Sequence, residues 1–207
     1  MGRTLFHILC NPARSGPKLV NQSQLHGARA GFDNTISGTD LIVGAPTGQI
    51  NLLLYSVFRL GNATAEISWD TYEAIDGRDD IAWTIPVSLG DSHRGFRVLG
   101  TNDSYFEHYK HGEGQALKLA EGRRFSDIYE AVIGAEVARD LGYGLGSEIV
   151  LTHGLGAGGL TDHENRPFIV SGILAPTGTP VDRTIHIPLE GVTAIHVGWE
   201  SGTRNPM

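Results

Sequence analysis

Three groups of residues have types and spacings that could do chemistry. The first is His153 with Asp162, His163 and Glu164, four nitrogen and oxygen ligands around one loop. A strand pair that brought His153 near His163 would give the start of a metal site, and with it a metal-dependent enzyme. His108 and His111, three apart near the end of an expected helix, are a similar case. Neither set has visible outer partners to orient the imidazoles, so solvated polar loop residues account for both as well. The second group is Gly154-Leu155-Gly156-Ala157-Gly158-Gly159, a match to G-x-G-x-x-G after an expected strand. Dinucleotide binding needs such glycines to open a helix toward a pyrophosphate. Residues 160–167 (LTDHENRP) cannot start a useful helix, so the stretch reads as a mobile glycine-rich hairpin loop. The third group is Asp70, Glu73, Asp76, Asp79 and Asp80. Paired carboxylates do acid–base work only where burial or a neighbour separates their pKa values, and this spacing fits a solvated helix face. No residue is assigned to catalysis, to a cofactor or to a metal.

Other fingerprints are missing from the text of the sequence. It contains no Gly-Lys pair, no G-x-S-x-G and no H-E-x-x-H, so ATP hydrolysis by this chain is not expected. With 16 basic and 23 acidic residues the net charge is −7, which argues against wrapping nucleic acid. Cys10 is the single cysteine, which excludes an intrachain disulfide and a cysteine-ligated zinc. Nothing reads as a secretory signal or as a run of about 20 apolar residues able to span a membrane. Apolar content of 40% with 19% charge, over 207 residues, is enough for a folded core, and 28 glycines punctuate it.

The elements that must carry these residues follow from period and punctuation. Residues 1–33 mix Asn, Gln, Arg, Gly, Ser and Pro without a period and read as irregular. A buried strand is expected over 39–44, then an amphipathic helix over 50–60 ended by Gly61. Ser68 is placed to cap a second helix that carries Asp70 in its first turn, has Ile67 and Tyr72 at the staple positions, and stops by Gly77. Runs at 81–89 and 95–99 predict an antiparallel hairpin joined by Gly-Asp-Ser-His-Arg, with Pro86 making the first an edge or bulged strand. A short helix over 103–110 follows Asn102. Further on come a strand over 130–133, a two-turn helix stopped by Gly142, and strands over 147–153, 167–174 and 183–189. In the last of these Ile185 and Ile187 share one face, and Thr184 and His186 the other. The class is α+β without regular βαβ alternation.

The order of segments resembles the MacB-like periplasmic core domain of FtsX-like ABC transporter permeases. The stretches that carry it are NTISGTDLIVG (34–44), ISWDTY (67–72), Tyr105-Phe106, LAEGRRF (119–125), AVIGAEVARDLGYGLGSEIVL (131–151), FIVSGIL (168–174) and TIHIPLE (184–190). The resemblance implies a two-part α+β body: a porter-like first half over 34–115 and a β-rich inserted part over 116–200, with 201–207 as a tail. It also implies a position on the periplasmic face of the bacterial inner membrane, between transmembrane helices of a permease. The function implied is mechanical coupling of ATP hydrolysis by a partner ATPase subunit to export or release of a lipoprotein, peptide or small amphiphile. A second permease copy and a periplasmic adaptor or lipoprotein are the other partners it implies. No catalytic residue comes with it. The family carries membrane helices on both sides of the matching region, so the chain is expected to be a permease fragment or a stand-alone relative. A truncated porter would expose strand edges and apolar faces. A periplasmic protein-binding module that grips its partner with the Gly154–Gly159 loop is the rival reading, and an enzyme using His153 and His163 is the third.

Overall fold

The computed structural model describes residues 4–5, 7–12, 35–46, 48–61, 65–153 and 166–196. Its centre is a ten-stranded mixed sheet. Along the sheet the strands run β11 (Glu148–Ile149), β13 (Phe168–Leu174), β10 (Glu130–Ile133), β14 (Thr184–Pro188), β6 (Phe96–Thr101), β5 (Ile81–His93), β2 (His7–Pro12) and β3 (Leu41–Gly44). Two short strands complete it: β9 (Leu119–Gly122) lies beside β13, and β12 (Thr152–His153) beside β5. Two further pairs stand apart, β1 (Thr4–Leu5) with β4 (Ile67–Ser68) and β7 (Lys110–His111) with β8 (Gln115–Ala116). Parallel pairing joins β10 to β13 and β14 to β6, and the other pairs are antiparallel. The fold is α+β, as the sequence implies.

Among the described residues five α-helices lie against the sheet: α1 (Gln49–Ser56), α2 (Trp69–Asp76), α3 (Asp103–His108), α4 (Ala135–Leu141) and α5 (Leu189–His196). Alternation along each strand sorts the core into layers. Ile85, Val87, Leu89, Leu99 and Val132 pack with Tyr55, Tyr105, Phe106 and Tyr109 from α1, α3 and the residue after α3. Val98, Ala131, Ile133, Ile185 and Ile187 point the other way and meet Val137 of α4 and Ile195 of α5. Helix α2 closes one corner through Ile67, Tyr72 and Leu189.

Local punctuation works where it was expected. The Ser68 hydroxyl accepts the Thr71 N–H at 3.2 Å, Asp70 lies in the first turn, and Gly77 ends α2. Asn102 Oδ1 accepts the Ser104 N–H at 3.1 Å and starts α3. Gly142 at φ 68° ends α4. The β5–β6 hairpin also forms, with a tighter turn than expected. His93 pairs with Phe96, so the loop is only Arg94-Gly95, at φ 47° and 84°. Such a two-residue turn matches the strand twist only with positive φ, which Gly95 supplies freely.

Several expectations are corrected. Residues 1–33 are not irregular throughout, because His7–Pro12 forms β2 and is hydrogen-bonded on both sides, to β5 and β3. Asn11 and Pro12 disguise it in the sequence, and its partners lie 30 to 80 residues away. Of the two expectations for the Pro86 strand, the bulge holds and the edge does not: β5 is bulged between Leu89 and Ser92 and lies inside the sheet, between β6 and β2. The missing N–H of Pro86 does no harm because β6 has ended there, and the Thr101 hydroxyl donates to the Pro86 carbonyl at 2.8 Å. Helix α1 stops at Ser56, short of Leu60, since Arg59 takes a left-handed φ of 60°. The second half holds a further helix, α5, over Leu189–His196, a stretch to which no element was assigned beyond the strand end at Leu189. The pairs β14·β6 and β12·β5 cross the position 115/116.

Candidate functional site

A cluster of buried polar groups around His186 was not among the candidates read from sequence. Strand β14 runs through the middle of the sheet, so its two faces are both covered and Thr184, Ile185, His186 and Ile187 are all buried. His186 therefore sits in a core, facing α3. Its ring lies 5.0 Å from that of Tyr105, which in turn stacks on Tyr109 at 4.8 Å. His186 Nδ1 donates to the Val132 carbonyl at 3.1 Å, so Nε2 is the acceptor and takes the Tyr105 hydroxyl at 3.3 Å. The Tyr109 hydroxyl donates to the Thr35 carbonyl at 2.7 Å. Arg59 comes in from the segment after α1, donates to the Ser56 carbonyl and hydrogen-bonds Tyr105.

The electrostatics follow from burial. Desolvation pulls His186 down to about 3, the nearby Arg59 charge pushes the same way, and the bond to Val132 opposes. Burial raises Tyr105 and Tyr109 above the ordinary tyrosine value. All three rings are therefore neutral at neutral pH, and they contribute hydrogen bonds and packing, with no titratable acid–base pair. A second histidine, His93, ties the end of β5 to the loop before β12. Its Nδ1 donates to the Val150 carbonyl at 2.6 Å and its Nε2 accepts the Tyr143 hydroxyl at 2.8 Å. Burial lowers its pKa too. Sequence could have hinted only at His186, which alternates with Ile185 and Ile187; that its face is also buried depends on α3.

The expected candidates separate. Residues 154–165, with the glycine-rich loop, Asp162, His163 and Glu164, lie outside the described residues, and His153 is described only as a strand residue opposite Asp91. His108 ends α3 and stacks flat on Trp83 at 4.9 Å, whereas His111 belongs to β7 after an extended Tyr109. Among the described residues no three His, Cys, Asp or Glu side chains gather as a metal site. The five carboxylates are exposed and serve local structure. Glu73 accepts the Trp69 indole N–H at 2.7 Å, Asp76 accepts the Thr84 hydroxyl, and Asp80 takes both arms of Arg78 at 2.7 and 2.8 Å, which holds its carboxyl below the usual range.

The surface adds two features. Among the described residues the sheet order ends on β11 and β3, and β9 pairs on one side, with β13. Large apolar side chains are exposed at Leu41, Ile50, Leu54 and Leu60 around β3 and α1, and at Leu119, Leu145 and Ile169 around β9 and β13. No described helix is long and apolar enough to cross a membrane.

Comparison with curated proteins returned no match. Among solved structures, the chain is similar to a domain of a protein described as a permease from Porphyromonas gingivalis, at 10% identity and a TM-score of 0.38. That similarity covers 63% of this chain and 58% of the other, so the chain spans less than two thirds of that domain. The model of the MacB-like periplasmic core domain matches residues 23–204. With nearly its whole length under that model, the chain belongs to the MacB-like periplasmic core domain family.

Proposed function

We propose that this chain works as the extracytoplasmic domain of an ABC transporter permease and transmits movement, with no chemistry of its own. The observation that carries the reading is the family match from residue 23 to residue 204. The interior supports it in a negative sense: the buried rings of His186, Tyr105 and Tyr109 are hydrogen-bonded and neutral and supply no acid–base pair. A sheet of ten strands hydrogen-bonded side to side, with cores on both faces, moves as a unit when one edge is displaced. In this reading a partner ATPase hydrolyses ATP in the cytoplasm, membrane helices of the permease shift, and the domain passes that shift to a lipoprotein, peptide or amphiphile. The place is the periplasmic face of the inner membrane, and a second permease copy and an adaptor are its proposed neighbours. The division into a porter-like part over 34–115 and an inserted part over 116–200 belongs to this proposal.

The test starts with the DNA around the gene. Apolar runs of about 20 residues are expected in the flanking reading frames, with an ATPase gene nearby. Joined to its upstream flank and followed by alkaline phosphatase, the chain should give an active, exported reporter. Flanks without an apolar run in any frame, or a reporter that stays inactive, overturn the reading.

A further inference from the structure

Among the described residues Arg59 combines a left-handed backbone with a buried side chain that has an unpartnered polar atom. Its φ of 60° is a conformation that L-residues with a long side chain seldom adopt. Its side chain is 93% buried, by an exposure of 7%. Among the described residues the guanidinium meets the Ser56 carbonyl and the Tyr105 hydroxyl, no carboxylate pairs with it, and its Nε has no hydrogen-bond partner. A buried charge without a counter-charge is held at a cost, because water would solvate it better. Tyr105, Tyr109 and His186 are the titratable groups around it, and as neutral rings they supply no balancing charge.

The element that carries Arg59 inward is itself lightly tied. Helix α1 has no side-chain bond at its amino-terminal cap, no acidic residue in its first turn and no basic residue in its last. Ile50 is 73% exposed, and Leu54 and Leu60 are exposed with it. The contacts that hold the element include Tyr55 and Val57 in the core with Leu53 and Phe58 packed against it, the Tyr55 hydroxyl donating to the Leu89 carbonyl, and Arg97, which donates to the Gly61 carbonyl and lies over the Tyr55 ring. Opening would break those contacts and would relieve both the left-handed backbone and the buried charge.

We propose that Gln49–Ser56 and residues 57–61 form a latch over the Tyr105–His186 face, which swings out into water while the sheet stays folded. This does not depend on the transporter reading, since it rests on the strain and burial of Arg59 and on the caps and exposure of the helix before it.

Native-state hydrogen exchange, read by mass spectrometry on the whole chain, tests it. Amides of 49–61 should be at least about tenfold less protected than those of β14, because they exchange through a partial opening. Equal protection in the two segments overturns the proposal. In Arg59→Met, which keeps the volume and removes the charge, protection of 49–61 should rise about tenfold with β14 changed less than twofold. A fall, or an equal change in both segments, overturns it. Should that variant not fold, the wild type decides: phenylglyoxal should modify Arg59 under native conditions at least about tenfold faster than global unfolding allows, and modification only at the global rate overturns the latch.

Discussion

His186 is an imidazole that the fold keeps neutral, and its pH behaviour follows in sign. Its folded pKa, about 3, is below the ordinary value near 6.5, so the unfolded chain binds the proton first. Stability that is full above about pH 6.5 is therefore lost as pH falls toward 3. Between pH 7 and 4.5 the loss from this residue is about 2–3 kcal/mol, and His93, also lowered by burial, adds to it. Glu130 acts later. Arg123 and the N–H groups of Ser126 and Asp127 hold its carboxyl at about 2, so its contribution is lost only as pH falls through the carboxylate range toward that value. Urea unfolding at pH 7 and 4.5 should thus show a large shift for wild type and a smaller one for His186→Gln, which can keep hydrogen bonds and cannot take up a proton near pH 5. Equal shifts would mean that His186 is not the buried neutral group described. None of this was legible in the sequence beyond the alternation of Thr184 and His186 against Ile185 and Ile187. A histidine's burial is settled by what packs on it, and Tyr105 is 81 residues away.

At the scale of elements, what was legible is what is local. Helix α2 needs only Ser68 at its start and Gly77 at its end, and both act within one turn. Ser68→Ala should therefore cost about 1 kcal/mol, read as a lower urea midpoint with the slope unchanged. Helix α4 has no side chain at its cap, because Gly134 stands there against another piece of chain. A Cβ on Gly134 would lie 2.3 Å from the Val181 carbonyl oxygen and 2.4 Å from that of Asp182. Those oxygens belong to the turn that Asp182 fixes by accepting the N–H groups of Thr177 and Gly178, each at 2.8 Å, so the neighbour cannot move aside cheaply. Gly134→Ala should cost about 2–3 kcal/mol, while Gly144→Ala, with nothing within 4 Å, stays within about 0.5 kcal/mol. Similar losses at the two sites would refute the close approach. Elements that depend on distant partners escaped the reading: β2 carries Asn11 and Pro12 and is a strand because β3 and β5 flank it, and α5 contains Gly191, which admits the Phe168 ring and the Ile128 carbonyl beside it.

For the whole molecule, segment order was readable through the family resemblance, and sheet order was not. The sequence places β6 and β14 more than 80 residues apart, and the sheet sets them side by side in parallel over five pairs, Thr184 with Arg97 through Pro188 with Thr101. On its other side β14 meets β10, at Val132 with His186 and Ile133 with Ile185. A chain cut between residues 115 and 116 would therefore leave β6 with an open edge in one piece and β14 with an open edge in the other. It would also divide the core in which Leu99 and Tyr105 meet Val132, Leu174 and Val181. Neither piece keeps enough buried apolar surface to offset its chain entropy, and each presents an unpaired strand to solvent. Residues 1–115 and 116–207, produced separately, should each lack cooperative thermal unfolding, whereas the intact chain unfolds in one transition by both far-ultraviolet and near-ultraviolet circular dichroism. Two well-separated transitions in the intact chain, or a sharp transition in either piece, would show that the sheet does not bind the halves into one folding unit. The same result would restrict how the domain can deform, since with one sheet through both halves the sheet moves as one body and only elements laid over it can shift against it.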